Sequence, residues 1–273
     1  MVIAVRRASL GQLPNAPLAL VLAQVVFSRH LSMRDRIPAI QDAVRREYPT
    51  FAETKIHALE IGAAGIKTKQ VDRWQFGDAT NQAGFLILED GLVFNATAYR
   101  DYPAFAERLS TILGMFEALV PDLHVERLGL RYVDIIVPAG DEEPEEFIVS
   151  GLRATELSNI GRHANSMHFS QIFLDEGYLN FRYKRGGLNE HYMPDDLQPF
   201  ILAPAAVTSR AKHAQSQGRS IAFLDFDRIV PNLSLRFDSA EVRSRFDRMH
   251  KDLSDAFKKV QTPHARKVWS TPP

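Results

Sequence analysis

The chain has 273 residues, 45% apolar and 24% charged, the composition of a folded globular protein rather than a disordered or collagen-like one. There is no cysteine, which excludes disulfides, a thiolate nucleophile, zinc ribbons and cysteine-held iron–sulfur clusters. Lys plus Arg is 33 and Asp plus Glu is 33, so no net field recruits nucleic acid to the molecule as a whole.

The longest apolar run, Pro17 to Phe27, is about half the ~20 residues that a bilayer span requires. The first residues, MVIAVRRASLGQLPN, hold two arginines but no apolar stretch of signal length. A cytoplasmic protein without membrane contact is the expectation. Charge is uneven: residues 120–160 are acidic around Asp141-Glu142-Glu143-Pro144-Glu145-Glu146, and the chain from Pro204 onward is basic. Such runs read either as solvated surfaces or as halves that attract each other or an acidic partner.

In chain order, the first predicted strand is Leu18–Phe27, where β-branched and apolar residues run together. A helix follows at about Met33–Tyr48, with Ile37, Ile40, Val44 and Tyr48 on one stripe and Pro49 stopping it. Strands come next near Ile56–Ile61 and Val71–Phe76. Gly84–Leu88 and Leu92–Tyr99 flank Asp90-Gly91, a strong hairpin signal. From Pro103 a helix carries Phe105, Leu109, Ile112, Phe116 and Leu119 at alternating steps of four and three. A strand then runs from Val125 to Val137.

The second half reads similarly. Met167–Phe173 and Tyr178–Tyr183 flank a Glu176-Gly177 turn, and Ile221–Phe226 and Asn232–Phe237 form two further strands. Asp238 with Glu241 resembles a capping box opening a helix with Val242, Phe246, Met249, Leu253, Phe257 and Val260 on one face. A terminal strand is predicted over Pro263–Trp269. The order predicts an α+β fold: antiparallel sheets on long amphipathic helices, in two similar hairpin–helix–strand halves. The halves are 1–140 and 141–273, with a soft boundary at 138–147, and one continuous domain is the alternative. The stretch from Gly186 to Gly218 lacks periodicity and reads as a mobile loop or as a lid.

APLALVLAQVVFS, VERLGLRYVDIIVP and the Trp74-x-Phe76 strand resemble a sporadically distributed family of uncharacterised bacterial proteins, with RLGLRYVD the specific part. The resemblance implies coverage of most of the chain and carries no catalytic residue or cofactor onto positions here. Its sporadic occurrence implies a bacterial accessory system, such as defence or toxin control.

Nucleotide-binding, zincin and serine-hydrolase motifs are all missing. Four weaker patterns remain. His163 and His168 bracket four residues, an offset that suits neither one helical face nor one strand face, so no metal is expected. His191, Asp195 and Asp196 put an imidazole beside two carboxylates in the irregular segment, as acid–base candidates or as a helical-turn cap. Asp42 with Glu53-Thr54-Lys55 has the acid, acid-x-Lys pattern of metal-dependent nucleases.

Arg127 and Arg131 share a strand face with Gly129 between them, an arrangement suited to carboxylate or phosphate. The competing account pairs these arginines across the sheet with acids such as Glu89. Phe105, Phe116, Phe246 and Phe257 read as core. Trp74, Phe76, Tyr99, Tyr178 and Tyr183 suggest a base-stacking platform, but only Lys184 and Arg185 supply local basic charge, so nucleic acid is not favoured. These readings point to a cofactor-free, non-enzymatic regulatory or interaction protein binding an anionic ligand or acidic protein surface through Arg127 and Arg131. The alternative is a hydrolase with its site beneath the 186–218 segment.

Overall fold

The apolar run Leu18–Phe27 forms strand β1, and alternate side chains go to opposite faces of one sheet. The computed structural model describes residues 13–62, 65–155, 157, 159–161, 165–186, 195–202, 207, 212–214 and 216–271; for 56–62, 65–69, 195, 198 and 199 it describes the backbone alone. After β1 come α1 (Met33–Val44), β2 (Thr50–Gly62), β3 (Gly65–Gly77), β4 (Ala83–Leu88), β5 (Gly91–Ala96), α2 (Tyr102–Leu119) and β6 (His124–Ile136). Then follow β7 (Ser166–Phe173), β8 (Tyr178–Gly186), β9 (Ile221–Val230), β10 (Leu235–Arg236), α3 (Ser239–Val260) and α4 (Pro263–Ser270). The strands lie in the order β2-β3-β4-β5-β1-β6-β9-β8-β7, with β10 also paired to β6. Every pairing is antiparallel. The architecture is α+β.

The helices cover one face. Asp101 caps α2 by accepting from the Ala104 amide at 2.8 Å, and Asp238 caps α3 by accepting from the Glu241 amide at 2.8 Å. α2 buries Phe105, Leu109, Ile112 and Phe116, and α3 buries Val242, Phe246, Met249 and Leu253. These stripes pack on Val21, Val25 and Phe27 of β1, Leu128 and Leu130 of β6, and Leu224 and Phe226 of β9. No helix among the described residues is long and apolar enough to cross a membrane.

The halves 1–140 and 141–273 share this one sheet, because β6 pairs with β9 from Leu128↔Val230 to Ile136↔Ala222. The second half does not end in the predicted strand. Thr262 caps Pro263–Ser270 as a helix, accepting from the Ala265 amide at 3.1 Å with proline in the first turn. Trp269 then stacks on Phe257 at 5.6 Å, so the indole is buried by helix packing rather than by strand pairing. The hairpin–helix–strand order is therefore not repeated. At the β7–β8 turn, Gly177 has φ +80°, and a Cβ there would collide with the Ile229 carbonyl oxygen.

The two core phenylalanines differ in burial, since Phe116 is fully enclosed while Phe257 packs at the margin of the cluster. Phe116→Ala should cost ~3–5 kcal/mol in chemical denaturation, and Phe257→Ala about 1–3 kcal/mol. Equal small losses at both sites would contradict this packing.

Candidate binding face of the sheet

The face away from the helices is divided. On one part, Leu20, Leu22, Leu86, Val93, Val133, Ile135 and Phe223 pack under Leu197, Ile201, Val207 and Ala214. The described part of the aperiodic segment is thus a cover lying on the sheet. Its first stretch, Asp195–Phe200, is a 3₁₀ turn. Asn95 on β5 donates to the Phe200 carbonyl oxygen at 2.9 Å, which fixes the turn at one end.

The other fixing point is Arg131. Its Nε and Nη2 donate to the two oxygens of Asp225 at 2.6 and 2.7 Å, and its Nη1 donates to Asp196 at 2.6 Å. Arg182 on β8 donates to the same Asp225 at 2.8 Å. Arg131 is 5% exposed and Asp225 fully buried, so this is an internal ion cluster bridging β6, β9, β8 and the covering turn. Burial opposes the guanidinium charge, but Asp225 and then Asp196 hold Arg131 protonated above its usual range. Burial likewise opposes ionisation of Asp196, yet Arg131 outweighs it and keeps that carboxyl below the usual range.

On this face the residues fall in transverse rows, covered at Leu22 and Arg131 and partly exposed at Asp227, Gln24, Ile229 and Tyr178. One row runs Leu22, Arg131, Asp227, Asn180, Gln171; the next runs Gln24, Gly129, Ile229, Tyr178, Phe173. Arg127 stands one step further along β6, exposed, and donates to Gln24 Oε1 at 3.1 Å. Unlike Arg131 and Arg182, it has no carboxylate partner among the described residues. A Cβ built on Gly129 would meet Gln24 at 3.7 Å, an ordinary van der Waals contact, so a small side chain would fit there. Gln171 donates to Asn180 at 2.9 Å, which orders the amides further out. Glu89, the suggested partner of these arginines, instead accepts from Arg29 at 2.6 Å.

The other candidates are dispersed. His191 and His163 lie outside the described residues, as does the side chain of Asp195. Asp196 is engaged by Arg131, and His168 shares a hydrogen bond with Ser170 at 2.8 Å. Asp42 sits on α1 facing Arg45, while Glu53 on β2 pairs with Arg34. Among the described residues, no three His, Asp or Glu side chains gather as metal ligands. Trp74, Phe76 and Tyr183 are buried in the core on the helix side, whereas Tyr178 lies on the face away from the helices, beside Phe173.

A second polar group lies under the helices and was not visible in the sequence. The Tyr132 hydroxyl meets His250 Nδ1 at 3.0 Å, and Tyr102 stacks on the His250 ring at 3.7 Å. Burial pulls His250 down to about 4, so the imidazole is neutral at physiological pH. Asp134, two residues beyond Tyr132 on the same strand face, is pushed up to about 8 by complete burial and then by the charge of Asp225. A cavity of about 160 Å³ nearby is walled by Phe94, Tyr99, Asp101, Phe105 and Arg108. That is smaller than the ~300 Å³ at which small-molecule sites begin.

No protein-family model matches the chain, and no curated protein does so.

Two measurements follow from this geometry. Asp196→Ala should cost about 1 kcal/mol, because the carboxylate is half-exposed. It should also accelerate amide hydrogen exchange across 197–202 more than exchange in the helices. For Asp134, the unfolded carboxyl titrates near ~3.9, so the unfolded chain ionises first and folding loses stability as pH rises from about 4 to about 8. Asp134→Asn should therefore exceed the wild type by ~2–4 kcal/mol at pH 8, with the difference vanishing towards pH 4. A pH-independent difference in denaturant midpoints would contradict the buried carboxyl.

Proposed function

We propose that this chain is a non-enzymatic interaction protein that receives an acidic protein surface on the open part of the sheet, with Arg127 as its cationic contact. The observation carrying this reading is the contrast among the arginines. Arg131 and Arg182 are spent on Asp225, whereas Arg127 is exposed and, among the described residues, hydrogen-bonds Gln24 rather than a carboxylate. A guanidinium so placed offers a planar fork to carboxylate or phosphate.

The shape of the face supports a protein surface over a small anion. The rows of Gln24, Ile229, Tyr178 and Asn180 spread across four strands, and the cavity by α2 lies on the opposite face. A flat mixture of amide, aromatic and cationic groups suits an extended partner, while small ligands favour concave sites. The resemblance to a sporadically distributed bacterial family supports a place in an accessory system within the cytoplasm.

The test is isothermal titration of the protein with an Asp/Glu-rich peptide and, in parallel, with inorganic phosphate. The peptide should bind with a salt-dependent affinity, and Arg127→Ala should weaken it more than tenfold. The same substitution should change unfolding stability by less than about 1 kcal/mol, because the side chain is exposed. Unaltered peptide affinity in Arg127→Ala, or binding of phosphate alone, would overturn the proposal.

A further inference from the structure

The open face ends at β7, and the chemistry of that strand differs from that of the opposite edge. Among the described residues β7 is the last strand of the sheet and pairs with β8 alone, so its outer backbone N–H and C=O groups face away from the sheet. Its sequence, SMHFSQIF, contains no Asp, Glu, Lys, Arg, Pro or Gly over eight residues. The opposite edge strand, β2, carries Glu53, Lys55 and Glu60. Charges, prolines and bulges are the devices that keep an exposed edge from pairing with another chain. β2 has charges, and β7 has none of the three.

The side chains of β7 point the same way. Met167 is 71% exposed, Phe169 52% and Phe173 78%, all on the face away from the helices; Ile172, 46% exposed, is on the other face. An eight-residue uncharged edge with Met167, Phe169 and Phe173 exposed on one flank and Ile172 on the other is a template for a further strand.

We infer that β7 is a homodimer interface, at which two copies of this chain pair β7 with β7 antiparallel and continue the sheet across a two-fold axis. The occupant follows from self-complementarity. In such a pairing the axis is perpendicular to the sheet, so residues of like face meet and their numbers sum to an even value. The register centred on Ser170 sets Met167 opposite Phe173 twice, joining the most exposed apolar side chains of the strand. It sets His168 opposite Ile172 on the helix side and Phe169 opposite Gln171. No like charges meet in this register, because the strand has none.

The inference stands apart from the acidic-partner reading, since Arg127 on β6 lies three strands from β7 in the order β6-β9-β8-β7. It has a consequence for that reading, however. An axis perpendicular to the sheet leaves both open faces on the same side of the dimer, as one continuous platform with two copies of Arg127.

Sedimentation velocity from about 5 to 200 μM, with circular dichroism as the control for folding, tests the interface. The wild type should shift from monomer to dimer with concentration. Met167→Lys with Phe173→Lys puts like charges opposite each other and should weaken association more than tenfold. Met167→Glu with Phe173→Lys puts opposite charges at the same two positions and should dimerise again. Both changes fall on side chains more than two-thirds exposed, so the fold is retained; Phe169→Lys provides a second disruption at a separate position. A wild type that stays at 30.8 kDa throughout, or a like-charge variant that dimerises as the wild type does, would overturn the inference. Failure of the opposite-charge variant to restore the dimer would overturn the register. None of these outcomes bears on Arg127.

Discussion

The pairing of Arg131 with Asp225 sets how the second face of the sheet is used. Both groups are buried, and burying two charges costs several kcal/mol per ion unless their hydrogen bonds are met. Here they are met closely. Asp225 accepts from Arg131 twice and from Arg182 once, and the remaining edge of Arg131 takes Asp196 from the covering turn. The turn beginning at Asp195 is thereby held over the apolar part of the face, where Leu197 and Ile201 reach Leu22, Val133 and Phe223. Further along the same face, Gln24, Ile229 and Tyr178 are partly exposed.

β9 is the hinge of this arrangement because it alternates charge and apolar groups with opposite destinations. Asp225 and Asp227 serve the open face, while Leu224 and Phe226 enter the helix-side core. Arg228 then points to the helices and donates to Asp252 of α3 at 3.0 Å, tying sheet to helix. The same sheet thus carries an internal ion pair on each side. Arg127, one strand away, has no carboxylate partner among the described residues.

Much of this was legible locally, and the reasons for the remainder are physical. β1 reads directly from its branched apolar run, the β4–β5 hairpin from Asp90-Gly91, and α2 and α3 from their stripes and aspartate caps, because these signals lie within a few residues. The helix at Pro263–Ser270 was misread as a strand. Its cap, Thr262, and the buried Trp269 are intelligible only once Phe257 and Phe147 stand beside them. Within the covering segment the turn Asp195–Phe200 packs Leu197 against Leu22, Val133 and Phe223, residues distant in sequence, so no local period marks it. Arg127 and Arg131 were found together as one face of one strand. Their different roles were not, since Asp225 is 94 residues away from Arg131 and the sequence offers no local sign of it. His250 meets Tyr132 across 118 residues for the same reason.

Arg131 is part of the internal framework, and its closest partner is Asp225. A double-mutant cycle of Arg131→Ala and Asp225→Ala, followed by urea unfolding, tests this most directly. Each single change should cost ~2–4 kcal/mol, because it removes the two-bond partner of a buried charge and leaves Asp225 with Arg182 alone, or Arg131 with Asp196 alone. The double variant should lose less than the sum by at least ~2 kcal/mol, because removing the second partner removes the stranded charge. Losses that add within about 0.5 kcal/mol would show that the two groups do not depend on each other, and the division of the sheet face would have to rest on something else.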